Sequence, residues 1–301
     1  MTKGFVTIAT GKEMYYAMAR NLLMSYRFHN HGGPPFAIIC DRENNYTEDF
    51  DDVVVMDSPM FSYLDKLRLP ELAPYDETIF IDADSLVLRD LGGLWDVVAK
   101  SPDYGIYGAV LDPDSEEGRI ELERSGPLRE RMHSPCSCQG GMRFVRKSPG
   151  LDGFIDLSMY IMRHYDEFQK PGHPKPSDDM ILPLVCSIYD FPPSEDWSRI
   201  FCFLPDSVIK EFDLLKGKIS YVWKVNGEEM GPGCYFLHFG NKATREWLYN
   251  REVYRLSRAA GGLDPSRAAL GAIWMRSMLA KVYNTVKSVG YKAALRIGLK
   301  V

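Results

Sequence analysis

The sequence predicts an α/β fold with a mixed, mostly parallel sheet and helices on both faces, and two observations lead to this prediction. Short apolar runs alternate with segments of helical periodicity, which is typical of parallel sheets covered by helices. Hydrophobic residues make up 45% and aromatic residues 12% of the 301 residues, enough for one large domain with a continuous core. We therefore expect a globular chain and exclude disorder as its dominant state.

The alternation starts at the N-terminus with a buried strand at residues 4–10, followed by a glycine turn and a helix at residues 13–28. Later apolar runs predict strands at residues 36–40, 53–56, 78–82, 104–110, 141–145, 220–224 and 234–238. Helical spacing predicts helices at residues 63–72, 154–165 and 178–187. Residues 112–137 have no clean period, so we expect a surface excursion or a pair of short helices there, a candidate lid or acceptor loop.

The C-terminal part has a different pattern. After Gly261 and Gly262, helical spacing of apolar residues predicts a separate helix at residues 265–289 that breaks at Gly290. Residues 264–301 carry seven basic residues against one acid, a net charge of +6 in a chain of net charge −5. We expect a domain at residues 1–250 and a basic amphipathic C-terminal helical extension at residues 251–301. Two interpretations of the extension stay open: contact with an anionic membrane surface, or packing on the domain or on a second copy as a homo-oligomer.

Composition excludes several classes of protein. The 36 Lys and Arg residues are balanced by 41 Asp and Glu residues, so we expect no nucleic-acid partner. The six cysteines are few and scattered, which favours reduced thiols over a disulfide framework. The first apolar run is too short for a signal-peptide core, and no run of apolar residues is long enough to span a bilayer. We therefore expect a cytoplasmic protein, peripheral on the membrane if the extension binds lipid.

The most informative segment is Ile81-Asp82-Ala83-Asp84, where an apolar strand ends in two carboxylates two residues apart. This spacing puts both carboxylates on one side of an extended chain, at the sheet edge where open α/β sheets bind ligands. Such a pair can share a hard divalent cation, Mn²⁺ or Mg²⁺, and the small Ala83 allows close approach. Asp-x-Asp is also common as a polar strand end that caps a turn, so the segment alone leaves both interpretations open.

A second segment favours the metal. His238 ends another predicted strand, and Gly240 and Lys242 follow it. An imidazole can complete an oxygen-rich Mn²⁺ shell, Gly240 permits close backbone approach, and Lys242 can neutralise a phosphate oxygen. Alone, His238 is better explained as a hydrogen-bonded residue at a strand end than as a metal ligand. Together with Asp82 and Asp84 it predicts a set of three metal ligands.

These segments resemble the glycogenin-like retaining glycosyltransferases, the eighth family in the sequence classification of glycosyltransferases, which have the GT-A fold. The resemblance runs from about Phe5 to Trp247. The segments similar to family motifs are Phe5–Thr10 with Tyr15 (first strand and nucleobase contacts), Lys66-Leu67-Arg68 (donor-binding helix), Asp82-Ala83-Asp84 (metal motif) and His238–Lys242 (C-terminal motif). The resemblance implies a GT-A type single Rossmann-like domain.

The same resemblance assigns site residues. Those that would contact the nucleotide-sugar donor or its cation are Thr7, Ala9, Thr10, Tyr15, Lys66, Asp82, Ala83, Asp84, Gly240 and Lys242. Asp178 matches the family's aspartate that faces the donor sugar, with Asp179 as second choice, and Gln139 is a candidate for a sugar or acceptor contact. Arg245 is the alternative to Lys242 for the cation facing the diphosphate, because Thr244–Trp247 replaces the family's Lys-Pro-Trp.

The predicted function is metal-dependent transfer of a hexose, glucose or galactose, from a UDP-sugar to a hydroxyl of a glycan, lipid-linked or protein acceptor. The departing diphosphate carries negative charge that a cation must stabilise. The resemblance implies retention of anomeric configuration, either by double displacement through a carboxylate nucleophile or by attack on the face that the diphosphate leaves. Two alternatives remain: an inverting GT-A transferase, and a non-catalytic module that binds nucleotide sugars.

Overall fold

The computed structural model describes residues 1–231, 233–240 and 246–296. Its strands, in chain order, are β1 (Lys3–Ala9), β2 (Phe36–Cys40), β3 (Asp52–Val55), β4 (Glu77–Ile81), β5 (Ser85–Val87), β6 (Tyr104–Val110), β7 (Cys136–Arg146), β8 (Phe201–Phe203), β9 (Ser207–Asp213), β10 (Lys218–Trp223), β11 (Glu229–Met230) and β12 (Phe236–His238). The central sheet has the order β3-β2-β1-β4-β7-β6, and two smaller sheets have the orders β5-β12-β8 and β11-β10-β9.

The central sheet is the mixed, mostly parallel sheet that the sequence predicts. Strands β1 to β4 pair in parallel, whereas β7 runs antiparallel to both β4 and β6. Side chains of β1 alternate between two cores, with Phe5 and Ala9 in one and Val6 and Ile8 in the other. Burial on both faces explains why these strands appear in the sequence as unbroken apolar runs.

Helices cover both faces. They are α1 (Glu13–His29), α2 (Leu69–Leu72), α3 (Leu94–Val98), α4 (Glu116–Arg124), α5 (Phe154–Arg163), α6 (Asp178–Ile188), α7 (Trp247–Ala260) and α8 (Arg267–Arg296). The helix predicted at residues 63–72 is a 3-10 helix, Tyr63–Arg68, followed by α2, because Pro70 lacks an N–H and fits the first turn of a new helix. The predicted excursion at residues 112–137 contains α4 and a 3-10 helix, Gly126–Arg131.

The C-terminal helices differ in how they pack. The expected boundary between residues 250 and 251 falls inside α7, because this helix spans Trp247–Ala260. Tyr249 and Leu256 of α7 are buried in the core. Helix α8 continues through Gly290, where the sequence predicted a break. One glycine costs a helix only about 1 kcal/mol, which is not enough to end it. Within the described residues, no helix has the length and apolar character required to cross a membrane.

Candidate functional site

Strand pairing brings Asp82, Asp84 and His238 together. Asp82 follows β4, and its backbone N–H donates to the Gly141 carbonyl at 3.0 Å. Asp84 precedes β5, which pairs antiparallel with β12 so that Ser85 lies opposite His238. Each of the three residues offers one ligand atom, and these atoms lie within 4.8 Å of one another. The two segments singled out in the sequence therefore meet at one point, although they are far apart along the chain.

The His238 ring is held with Nε2 towards the carboxylates. Nε2 lies 2.9 Å from Asp84 Oδ1 and 3.6 Å from Asp82 Oδ2, while Nδ1 lies 3.5 Å from the amide nitrogen of Gln139. A Cβ at position 141 would lie 2.4 Å from His238 Nδ1, so Gly141 is needed for the ring to reach this position. Neighbours on the Nδ1 side thus orient the nitrogen that faces the acids.

This donor set fits a hard divalent cation. Asp84 Oδ1 is buried and accepts no well-aligned hydrogen bond from the described residues, although His238 Nε2 is close by. Two carboxylates and an imidazole form a donor set that suits Mn²⁺ or Mg²⁺. Burial raises the pKa of Asp84, but His238 and then Lys66 lower it by more, so it lies below its usual value. Burial lowers the pKa of His238, but Asp84 and Asp82 together raise it above its usual value.

Lys66 lies beside the candidate ligands. It belongs to the 3-10 helix Tyr63–Arg68, whose first turn is fixed by a capping box between Ser62 and Asp65. Its Nζ lies 2.5 Å from Asp82 Oδ2 and 4.0 Å from Asp178 Oδ2. Burial lowers the pKa of Lys66, but Asp82 and Asp178 raise it well above the usual range. The ammonium group is therefore a permanent positive charge in the site.

Asp178 and Asp179 lie in the first turn of α6, as the sequence predicts. Asp178 is 5% exposed and forms a short ion pair with Arg143 Nη2. Asp179 Oδ1 accepts a hydrogen bond from the Gly140 N–H at 2.8 Å. Burial, and then the charge of Asp178, raise the pKa of Asp179 from 3.8 to about 6. Asp179 therefore keeps its proton to a higher pH than an ordinary aspartate does.

Arg143 is a site residue that the sequence analysis missed. It lies in β7 with 0% exposure, and its Nη1 donates to the Lys66 carbonyl at 3.0 Å. A signal for it was present, because an arginine interrupts an apolar strand between Met142 and Phe144. A charged side chain at a core-facing strand position needs a buried partner, but the sequence does not show that the partner is Asp178.

Two cavities adjoin at these residues. The larger has a volume of about 660 Å³ and the smaller about 380 Å³, and both are lined by Tyr63, Lys66, Asp82 and Asp84. Other predicted residues that line the larger cavity are Gln139, Asp178, Asp179, His238 and Gly240. Other predicted residues that line the smaller cavity are Ala9, Thr10, Tyr15 and Ala83. The candidate metal ligands Asp82 and Asp84 therefore lie where the two compartments meet.

Some predicted residues are placed differently from the rest. Thr7 is fully buried in β1 and lines neither of the two cavities. The hydroxyl of Thr10 donates to Asp65 Oδ2 at 2.7 Å, so that hydroxyl is already engaged within the protein. Lys242 and Arg245, the two candidates for the cation facing a diphosphate, lie outside the described residues.

Comparison with known proteins addresses the fold. No protein-family model and no curated protein sequence matches the chain. Among solved structures it is similar to the apo form of WbbM, a bifunctional glycosyltransferase, at 12% identity and a TM-score of 0.52, over 92% of this chain and 52% of that one. It is also similar to an active-site mutant of LgtC, at 15% identity and a TM-score of 0.50, over 90% of this chain and 99% of that one. The chain spans about half the length of WbbM and has the GT-A glycosyltransferase fold.

Proposed function

We propose that the chain is a metal-dependent glycosyltransferase, similar to the glycogenin-like group, that transfers a hexose from a UDP-sugar to an acceptor hydroxyl with retention. The observation that supports this proposal is the position of Asp82 and Asp84, which line both cavities at the point where the cavities adjoin. A UDP-sugar has a matching division, because a diphosphate joins its nucleoside to its sugar. The proposed hexose is glucose or galactose, which the sequence resemblance implies.

The smaller cavity suits the nucleoside. Tyr15 and Phe61 line it and are 39% and 60% exposed, so each has ring surface available for stacking on a base. Ala9 is the last residue of β1 and Thr10 follows it, and both line the same cavity. Since the Thr10 hydroxyl is engaged with Asp65, we infer that this segment contacts a base through its backbone.

The diphosphate would lie at the junction. Asp82, Asp84 and His238 would hold the Mn²⁺ or Mg²⁺ ion, which supplies stabilisation of the charge that develops on a departing diphosphate. Lys66 brings an ammonium group to the same junction, within hydrogen-bond distance of Asp82. An ammonium group there can donate to a phosphate oxygen. Either Lys242 or Arg245 is proposed as a further cation on the diphosphate.

The larger cavity suits the sugar and the acceptor. Asp178, Asp179 and Gln139 line it, together with the backbone at Gly140 and Gly141. Carboxylates in this compartment stabilise the positive charge that develops at the anomeric carbon during transfer. Retention by double displacement would use one of these carboxylates as nucleophile, whereas attack from the leaving-group face would use them only as anions.

We also propose that the C-terminal extension brings the active site to its acceptor. In α8 the side chains of Trp274, Met275, Leu279, Val282 and Tyr283 are each about half exposed or more. Apolar side chains and basic residues on one helix fit an anionic membrane surface, which favours a lipid-linked acceptor over a glycan or protein acceptor. A homo-oligomer formed through α8 is the competing proposal.

A donor panel tests the proposed activity. The purified chain is incubated with nucleotide sugars that differ in base and in sugar, with Mn²⁺, with Mg²⁺ or with a chelator, and the released nucleoside diphosphate is measured. We expect release from UDP-glucose or UDP-galactose in the presence of a divalent cation and none with the chelator. Binding of UDP without turnover of any donor would instead indicate a non-catalytic module, and an inverted product anomer would indicate an inverting transferase.

A further inference from the structure

The side chain of Arg143 joins three segments that build the larger cavity. It projects from β7, where it lies opposite Phe80 of β4. One terminal nitrogen pairs with the Asp178 carboxylate at the start of α6, and the other donates to the backbone carbonyl of Lys66 at 3.0 Å. Arg143 therefore contacts the proposed sugar-facing acid and the segment that carries the proposed phosphate-binding cation.

This ion pair is a costly way to stabilise a fold. Arg143 is 0% exposed, and its Nε is buried with no hydrogen-bond partner in the described residues. Its guanidinium carbon also lies 5.5 Å from the centre of the Phe80 ring. Removing a guanidinium group from water carries a large free-energy penalty. A protein in which apolar residues of similar volume replace a buried ion pair is often equally or more stable. We therefore expect this ion pair to contribute little to the stability of the fold, and its role to be the position in which it holds the Asp178 carboxylate.

Gly140 gives an independent indication that the pair needs the space around it, because a side chain at position 140 would overlap with the pair. A Cβ at position 140 would lie 2.4 Å from Arg143 Nη2, 2.9 Å from Asp178 Oδ2 and 3.0 Å from Asp179 Oδ1. Even an alanine would displace these groups, because Cβ contacts below 3.0 Å do not occur in practice. The absence of a side chain at this position leaves room for both acids and the arginine at once.

We propose that Arg143 is a positioning residue for the transfer step: it fixes the Asp178 carboxylate relative to the Lys66 segment so that both face one bound donor. The inference rests on the proposed function and deepens it by naming a residue that touches neither the donor nor the metal. Since Asp178 Oδ2 lies 4.0 Å from Lys66 Nζ, and Lys66 Nζ lies 2.5 Å from Asp82, an unanchored Asp178 would shift relative to the junction of the cavities. Misplacement of about 1 Å is enough to lower a rate by about 100-fold.

Two variants test the inference without removing a charge. Arg143→Lys keeps the buried cation but cannot contact Asp178 and the Lys66 carbonyl together, and Gly140→Ala keeps Arg143 and crowds it. For each we expect kcat to fall about 100-fold while the Kd for UDP with Mn²⁺ changes less than about threefold. Arg146→Lys is the matched control, because Arg146 lies on the same strand and pairs with Glu77, away from both cavities. Its kcat should stay at the wild-type value.

A double-variant cycle separates positioning from general damage to the fold. In the Asp178→Asn background, Arg143→Lys should lower kcat by less than about threefold, because its effect acts through Asp178. Thermal unfolding is measured for every variant. Three results would overturn the inference. The first is an unchanged kcat in folded Arg143→Lys and Gly140→Ala, and the second is full multiplication of the two effects in the cycle. The third is a loss of kcat that follows the unfolding temperature across all variants, Arg146→Lys included. A wild-type chain without turnover would overturn the proposed function as well, whereas an active wild type beside equally active variants would overturn only the inference.

Discussion

Lys66 Nζ lies 2.5 Å from Asp82 Oδ2, so a candidate metal ligand is already paired with a cation of the chain itself. The same ammonium group lies 4.0 Å from Asp178. A divalent cation that binds Asp82 would therefore compete with Lys66 for the carboxylate. The ammonium group of Lys66 would also repel the cation. A diphosphate would relieve this conflict by giving the ammonium group a second anion to contact. The arrangement favours joint binding of cation and nucleotide over binding of either alone.

Removing Lys66 should therefore change the affinity for the cation and the transfer activity in opposite directions. In Lys66→Met, we expect the affinity for Mn²⁺ without nucleotide to rise about 10-fold, because the competing charge is gone, and transfer to fall. Isothermal titration with Mn²⁺, with and without UDP, measures the first effect, and donor turnover measures the second. Lys3→Met is the control, since Lys3 pairs with Glu77 away from the site. Mn²⁺ affinity that falls in Lys66→Met would contradict the competition.

The second prediction concerns the cation ligands. We expect Asp84→Asn and His238→Ala to abolish divalent-dependent turnover, because each removes a ligand atom from the set of three. Asp84 and His238 are only 8% and 5% exposed, so the unfolding temperature should shift too. Asp84→Asn, nearly isosteric, is the cleaner variant, and the exposed Asp90→Asn is its control. Wild-type turnover across a range of Mn²⁺ concentrations in either ligand variant would remove that residue from the set.

The third prediction concerns Asp178. If its carboxylate faces the sugar, Asp178→Asn should lower kcat about 100-fold and leave nucleotide affinity nearly unchanged, because the interaction strengthens only as charge develops at the anomeric carbon. Asparagine keeps the size of the side chain and an oxygen that can accept from Arg143. Steady-state kinetics and UDP titration distinguish the two effects. Weakened UDP binding with unchanged turnover at saturation would place Asp178 on the nucleotide instead.

The fourth prediction is a pH dependence of stability. Burial and Asp178 raise the pKa of Asp179 from 3.8 to about 6, so the folded state binds a proton that the unfolded state has released between these two pH values. Stability from this group is complete below about pH 4 and is lost as the pH rises through about 6, a change of up to about 3 kcal/mol. Asp179→Asn should therefore raise the free energy of unfolding relative to wild type at about pH 8 and not at about pH 4.

Urea unfolding at both pH values measures this difference. Asparagine retains an oxygen to accept from the Gly140 N–H, so the comparison isolates the charge. An equal effect of the substitution at both pH values would show that folding does not raise the pKa of Asp179, and the predicted pH dependence would be absent.

The fifth prediction concerns α8. The full chain should sediment with anionic vesicles at low salt, whereas a version that ends at Gly262 should not, and both should stay in solution with neutral vesicles. The exposed Trp274, Leu279 and Tyr283 supply the apolar contact, and high salt should weaken the electrostatic part. Equal sedimentation of both versions, or an insoluble truncated chain, would favour packing of α8 on the protein.

The sequence predicted the part of the fold that depends on local pattern. Strands β1, β2 and β4 are buried on both faces, and burial of this kind produces apolar runs that are visible without a structure. Asp82 and Asp84 could be located for the same reason, since they follow the end of such a strand. The C-terminal helix was predicted from its spacing, but its continuation through Gly290 could not be, because helix propensity at one residue is a weak signal.

Interactions between distant segments could not be predicted in this way. Strands β5 and β8 have three residues each, too few for a recognisable period, and they exist because β12 pairs with both. The contact between Arg143 and Asp178 depends on how α6 docks against β7, which no local pattern encodes. The pairing of Lys66 with Asp82 was missed for the same reason, because the sequence assigned Lys66 only to contacts with the nucleotide-sugar donor or its cation.

The pairing of β5 with β12 also orders events during synthesis of the chain. Asp82, Asp84 and Lys66 leave the ribosome early, whereas β12 and His238 follow only after β8 and the β9–β10 hairpin have been made. Until β12 emerges, β5 and β8 lack the strand that lies between them, and the two acids have Lys66 but not the imidazole as a neighbour. A nascent chain can therefore build the four parallel strands while its ligand set is still incomplete, and the set of three is completed by the strand that also closes the small sheet.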